Sequence, residues 1–201
     1  MLAWMSCRCG NVRGQVGPAE ARLSNRVTCY CDDCQAFAHH LGHADLLDAR
    51  GGSDIIQIPP ASLAFTQGLD KIGAVRLSAK GLYRWRACCC NTPIGNTVTP
   101  TIPFVGLLAS TFRCEGQDPD ALFGKPRGAI MGQFAIGGPP PGSKGIRPWL
   151  MASTIAKVLS WRLAGRAWPH PFFDRRTGRP AYPVTILSTE ERARLRAIVN
   201  R

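Results

Sequence analysis

The feature that most limits this chain is the placement of its thiols: eight of nine cysteines fall in three short clusters. Cys7 and Cys9 stand in SCRCGNVRG, Cys29, Cys31 and Cys34 in TCYCDDCQ, and Cys88, Cys89 and Cys90 in WRACCCNTPIGN. An odd count, two Cys-x-Cys pairs and a run of three adjacent cysteines would close only strained disulfides. The start MLAWMSCRCG has neither the basic lead nor the long apolar core of a signal peptide. The reading is therefore a cytoplasmic chain whose cysteines are thiols or metal thiolates. Thiolates are soft donors that select zinc or iron–sulfur clusters, and no recognised iron–sulfur spacing is present. Zinc is the expected cofactor.

Around these clusters the pattern is β. VRGQV, IIQI, LAFT, AVRL and FVGLL are short strand-forming runs bounded by Gly, Pro, Asn or Asp. One helix is expected in QAFAHHLGHADLL, interrupted at Gly42. Residues 116–143 are rich in Gly and Pro, end in IGGPPPGS, and read as loop. They divide a zinc-binding, β-rich domain (1–143) from a basic helical extension packed on it (144–201). In the extension, Pro148 suits a first helical turn, and Leu150, Ile155, Val158, Leu159 and Leu163 recur near the helical period up to Gly165. These predict a helix lying over the β core. WPHPFFDRRTGRPAYP reads as irregular, and LSTEERARLRAIV as a last helix with Ser188 as N-cap and Glu191 completing a capping box.

No apolar run approaches the ~18 residues a membrane span needs, so no membrane partner is expected. The formal charge is +12 and uneven: residues 144–201 hold 12 Lys/Arg against 3 Asp/Glu. Such a tail can meet nucleic acid or another anionic surface. Trp149, Trp161, Trp168, Phe172 and Phe173 accompany the arginines, either as stacking groups for bases or as anchors that pin helices to a core.

A structural zinc takes four ligands. Cys7 and Cys9 on one turn, with two of Cys88, Cys89 and Cys90 on another, make a closed four-cysteine site that ties the amino-terminal strand to a distant turn. Cys29, Cys31 and Cys34 then lack a fourth cysteine nearby. His39, His40, His43 and Cys114 are the candidates within the chain, Cys114 reading rather as a small buried hydrophobe. Without them the site is an open three-ligand zinc, the form that admits water or a substrate. Asp32 and Asp33 are either proton acceptors beside the metal or makers of the turn, the second being commoner. Asn91 is expected in a left-handed conformation.

MSCRCGNVR, CYCDDC and ACCCNTPIG, in this order, resemble the glutathione-dependent formaldehyde-activating enzyme family, which includes centromere protein V. The family pattern runs G-x-C-x-C-G-x-V-R, C-x-C-x-x-C and F-C-x-x-C-G-T-P-L. The chain departs from it at Met5, at Ala87 where the third motif has its first cysteine, and at Asn91, so Cys88 or Cys89 must partner Cys90. The likeness covers roughly residues 1–115. It implies a mainly β, tent-like two-layer fold stapled by zinc. It also implies two zinc ions, one structural on the first and third clusters and one exchangeable and more exposed on Cys29, Cys31 and Cys34, where glutathione binds.

As an enzyme, the implied protein is a carbon–sulfur lyase of the S-(hydroxymethyl)glutathione synthase kind. Cys29, Cys31 and Cys34 carry the chemistry, and Arg84 and Arg86 offset the site charge or hold a substrate carboxylate. The other class of reading is a non-catalytic, zinc-stabilised module using its basic carboxyl-terminal region on nucleic acid or a protein partner.

Overall fold

In the computed structural model, which describes residues 2–18, 24–143 and 145–199, the chain is mainly β. The strands are β1 (Ala3–Ser6), β2 (Arg13–Val16), β3 (Asn25–Cys29), β4 (Ser53–Ile58), β5 (Leu63–Gln67), β6 (Ile72–Arg76), β7 (Tyr83–Ala87), β8 (Pro93–Thr97), β9 (Val105–Leu108), β10 (Ala129–Ile130) and β11 (Val184–Ile186). The helices are α1 (Asp32–His40), α2 (Ser110–Arg113), α3 (Pro119–Phe123), α4 (Pro148–Leu163) and α5 (Thr189–Val199). A three-stranded sheet has the order β1-β2-β5, and an eight-stranded one the order β10-β3-β4-β9-β8-β7-β6-β11. All pairings are antiparallel except the two outermost of the large sheet, where β10 lies parallel to β3 and β11 parallel to β6. Short strands from the second half of the chain thus flank β3 and β6, so the open edges of the sheet are strands of only two and three residues.

Successive residues of the large sheet sort onto two faces, as the period of two demands. Ile56, Leu107, Ala74 and Trp85 enter the main core against Ala3, Met5, Val16 and Leu63 of the small sheet. Their neighbours Ile55, Leu108, Val75 and Arg84 face the other way. Helix α1 covers that second face, and α5 packs beside it through Leu195 and Val199 on Ala36 and Leu77. With both faces covered, β4 is buried almost throughout, and its run SDIIQI lacks alternation for that reason.

The irregular stretch after α4 feeds the core. Trp85 stacks on Phe172 at 4.4 Å between ring centroids, and Phe173 meets it edge-on at 5.8 Å. Phe172, Phe173 and Trp161 are buried and so unavailable for base stacking, whereas Trp149 is exposed. Arg26 is a buried cation held by Asp54 at 2.7 and 2.8 Å, by Asp120 at 2.6 Å and by the Gly124 carbonyl at 2.7 Å. It ties β3, β4 and α3 together, a cluster the sequence pattern did not reveal.

Two expectations change. Residues 116–143 are not all loop: Asp118 caps α3 by accepting from the Asp120 N–H at 2.9 Å, and β10 takes up the free edge of β3. A strand of two residues has no periodicity to read. Helix α4 also presents a different face to the protein. Leu150 and Trp161 are buried, and the Thr154 hydroxyl accepts from Asn25 at 2.9 Å, whereas Ile155, Leu159 and Leu163 point outward. The capping box forms by half: Ser188 accepts from the Glu191 N–H at 3.2 Å, while the Glu191 carboxylate serves Arg194 and His40.

Candidate metal centre

The β1–β2 and β7–β8 connections are tight turns that face each other. Gly10 (φ 72°) and Asn91 (φ 55°) adopt the left-handed conformation these turns require, the second as the sequence predicts. The Arg8 N–H donates to the Thr92 hydroxyl at 3.0 Å and locks one turn on the other. Four sulfurs converge there: Cys7–Cys9 are 3.5 Å apart, Cys7–Cys89 3.8 Å, Cys9–Cys89 3.3 Å and Cys89–Cys90 3.9 Å. Four thiolates around zinc at ~2.3 Å stand about 3.8 Å from one another, so the group fits that ion. The Val12 N–H and the Asn11 amide each donate to a sulfur at 3.3 Å, and the Thr92 hydroxyl sits 3.0 Å from Cys90. Burial opposes ionisation of Cys90, yet hydrogen bonds from Thr92 and the backbone bring its thiol down to about 6. Burial and its sulfur neighbours push Cys89 up.

Of the two possible partners for Cys90, Cys89 joins the group and Cys88 does not. The Cys88 N–H donates to the Lys71 carbonyl at 2.7 Å, and its side chain lies over Gly73, where an added Cβ would come within 2.7 Å of the sulfur. Turning the first residue of the triplet outward onto β6 leaves the next two facing Cys7 and Cys9. Cys114 is exposed rather than buried, because it follows α2 at the rim of an open hollow shared with Cys7, Arg8 and Cys9. It lies outside both sulfur groups.

The second group forms where β3 runs into α1. Cys29 ends the strand, Cys31 is the N-cap of the helix, and Cys34 lies in its first turn, its N–H donating to the Cys31 sulfur at 3.3 Å. A sulfur at this position receives the free N–H groups and positive dipole end of the helix. Cys34 and Cys29 are 3.9 Å apart, and the three sulfurs lie within 4.8 Å of one another. Among the described residues no further His, Cys, Asp or Glu joins them. His40 pairs with Glu191 at 3.2 Å, and His43 meets the Cys90 carbonyl at 3.0 Å; His39 is not in the group. Asp32 accepts from the Asp33 N–H at 2.9 Å, the turn-making role.

Arg84 stands behind this group. It is almost wholly buried, 3.7 Å from the Cys34 sulfur and 3.4 Å from Asp33, with Phe37 beneath its guanidinium at 5.7 Å. Thiol hydrogen bonds from Cys29 and Cys31, and then Arg84, hold Cys34 well below the ordinary thiol range against its burial. The hydrogen bond with Cys31 works to lower Cys29, but Cys34 and burial outweigh it and push Cys29 up to about 12. Cys31 is raised by its bonds to both neighbours. Arg86 belongs elsewhere. A bulge between Trp85 and Arg86 turns it toward the third cluster, where it donates to the Asn91 side chain.

The exposure of the two groups reverses what the resemblance implies. Cys9 and Cys89 are exposed, whereas Cys29 and Cys34 keep only 6% and 8% of their surface, with Cys31 partly open. The cover comes from the later chain: β10 pairs Ile130 with Cys29, and Ile130, Met131 and Leu150 pack over the group. A small cavity remains beside Cys34, with room for about one water-sized centre (≈ 10 Å³), walled by Phe37, Ser53, Ile55, Arg84, Asn96 and Leu108. Register explains the wall, since Ser53 pairs with Cys29 and Asn96 with Arg84 on this face of the sheet. Ser53 and Asn96 are more than nine-tenths buried. Both line the cavity, and no motif in the sequence announced them.

Comparison with known proteins adds little detail. A family described as "Family of unknown function (DUF6151)" matches residues 2–185. A solved structure of a Rhodobacter sphaeroides protein is 17% identical, with a TM-score of 0.40, covering 63% of this chain and 98% of the other. No curated protein matches.

Proposed function

The chain belongs to that family of unknown function, and we propose that it is a two-site zinc–thiolate protein whose second site works on a small thiol. Cys7, Cys9, Cys89 and Cys90 would hold a structural ion, and Cys29, Cys31 and Cys34 would hold another with three protein ligands. The observation that carries this reading is the three-sulfur group that no further His, Cys, Asp or Glu joins among the described residues, set beside a buried arginine and a small cavity lined by Ser53 and Asn96. Zinc in such a place lowers the pKa of an incoming thiol and so supplies a thiolate at neutral pH.

The residues of the chain do the rest. The N-terminus of α1 and Arg84 offset the negative charge of the sulfur set. Ser53 and Asn96 donate to the oxygen of a small carbonyl compound as charge develops on it. A sulfur–carbon bond forms, the carbonyl electron pair moves to oxygen, and the proton given up by the thiol ends on that oxygen. The reverse cleaves the same bond, which is carbon–sulfur lyase chemistry; glutathione, the thiol that the resemblance suggests, would reach the group from the partly open Cys31 side, since the cavity beside Cys34 takes only a very small molecule. Phe37, Ile55 and Leu108 keep bulk water out of the cavity.

Cobalt is a coloured stand-in for zinc at thiolate sites. Adding glutathione to the cobalt-loaded protein is expected to shift the thiolate-to-metal absorption in the wild type and to leave it unchanged in Cys31→Ser. An unshifted wild-type spectrum would overturn the reading and leave a zinc-stapled scaffold.

A further inference from the structure

Helix α4 turns its most apolar face away from the protein. Trp149, Met151, Ile155, Leu159 and Leu163 are 46%, 41%, 50%, 53% and 89% exposed, and the last four follow one another at intervals of four residues along one side. A 16-residue helix is about 24 Å long. Together these side chains offer on the order of 500 Å² of apolar surface, as large as the largest patch on a typical monomer, and such patches are usually functional. The helix needs none of them to stay docked, since Leu150, Trp161 and Thr154 already hold its inner face.

Charge decides what covers it. Residues 121–173 contain seven Lys/Arg and not one Asp or Glu. Arg127 sets its guanidinium 5.6 Å over the Trp149 ring, Arg147 caps the start of α4, and Arg162 is exposed near its end. The apolar stripe is therefore bracketed by cations at both ends, and none of Arg127, Arg147 and Arg162 has an ion-pair partner among the described residues. Two copies meeting face to face would press these cations together. Nucleic acid would satisfy the cations but leave the aliphatic stripe in water. We propose that this face lies on an anionic phospholipid surface, with the indole and the aliphatic side chains entering the headgroup boundary and the arginines meeting the phosphates. A helix with an apolar face, a Trp and flanking Arg/Lys binds such surfaces in plane, without spanning them. The expectation of no membrane partner rested on spanning segments alone, and in-plane binding needs none: no helix among the described residues is long and apolar enough to cross a membrane.

The test is flotation of the full chain with vesicles of equal parts phosphatidylglycerol and phosphatidylcholine, against phosphatidylcholine alone. Binding is expected to the anionic vesicles, weakening about tenfold or more when Leu159 and Leu163 are both changed to Asp, and falling with added salt. Both leucines are exposed, so an unchanged circular dichroism spectrum is expected and checks that the fold survives. No flotation of the wild type, equal flotation of wild type and variant, or a wild-type dimer in sedimentation equilibrium that the variant abolishes would each overturn the proposal.

Discussion

Cys89→Ser is expected to lose one metal ion per chain and to lower the thermal midpoint by on the order of 10 °C, whereas Cys88→Ser, one residue away, changes neither. Cys89 lies 3.3 Å from the Cys9 sulfur, 80 residues earlier in the chain, and an ion between them closes that whole loop. Closing a loop of that length is worth about 4–5 kcal/mol in the chain-entropy picture. Cys88, on β6 side of the turn, closes nothing. Metal analysis and thermal melting of the two variants separate the cases, and equal behaviour would mean that the triplet is read in the wrong register.

Arg84→Met is expected to weaken metal binding at the Cys29–Cys31–Cys34 group by about 10–100-fold while sparing the four-cysteine group. Arg84 is the buried cation nearest Cys34. Replacing it with an apolar chain of similar length keeps the packing on Phe37 and removes the charge that favours the thiolates. Arg84→Lys retains the charge and is expected to recover part of the affinity. Competition with a chromophoric chelator measures both. The hydrogen bond of Arg84 to Asp33 is 3.4 Å long and reaches an exposed carboxylate, so the loss of that pair adds little.

The sulfur groups were the most legible part of the chain, because thiol spacing survives without knowledge of the fold. TCYCDDCQ shows that three sulfurs share a turn, and the structure places that turn at a strand-to-helix junction. What spacing could not decide was Cys88 against Cys89, since the choice depends on how the β7–β8 turn leans on β6. Nor could it reveal that the three-sulfur group is the buried one. Its cover, Ile130, Met131 and Leu150, comes from far downstream in the sequence. Ser53 and Asn96 were invisible for a related reason: each is an ordinary polar residue in a strand, and only the register of β3 with β4 and of β7 with β8 brings them beside Cys34.

Mainly β architecture was readable from short Val- and Ile-rich runs, yet β3, β7 and β8 carry polar or cysteine residues and gave weak strand signals. Their place is fixed by neighbours, as expected for strands whose preference depends on context. Helix α4 shows the opposite failure. Its apolar period was plain, but a helix with apolar residues nearly all round does not say which side faces the protein.

Counting zinc per chain in the purified protein and in Cys31→Ser tests the account most directly. Serine is itself a good N-cap, so α1 is expected to stay folded while its sulfur ligand is gone. The account predicts two ions in the wild type and one in the folded variant. A single ion in both, or two in both, would contradict a second sulfur-bound metal at the head of α1.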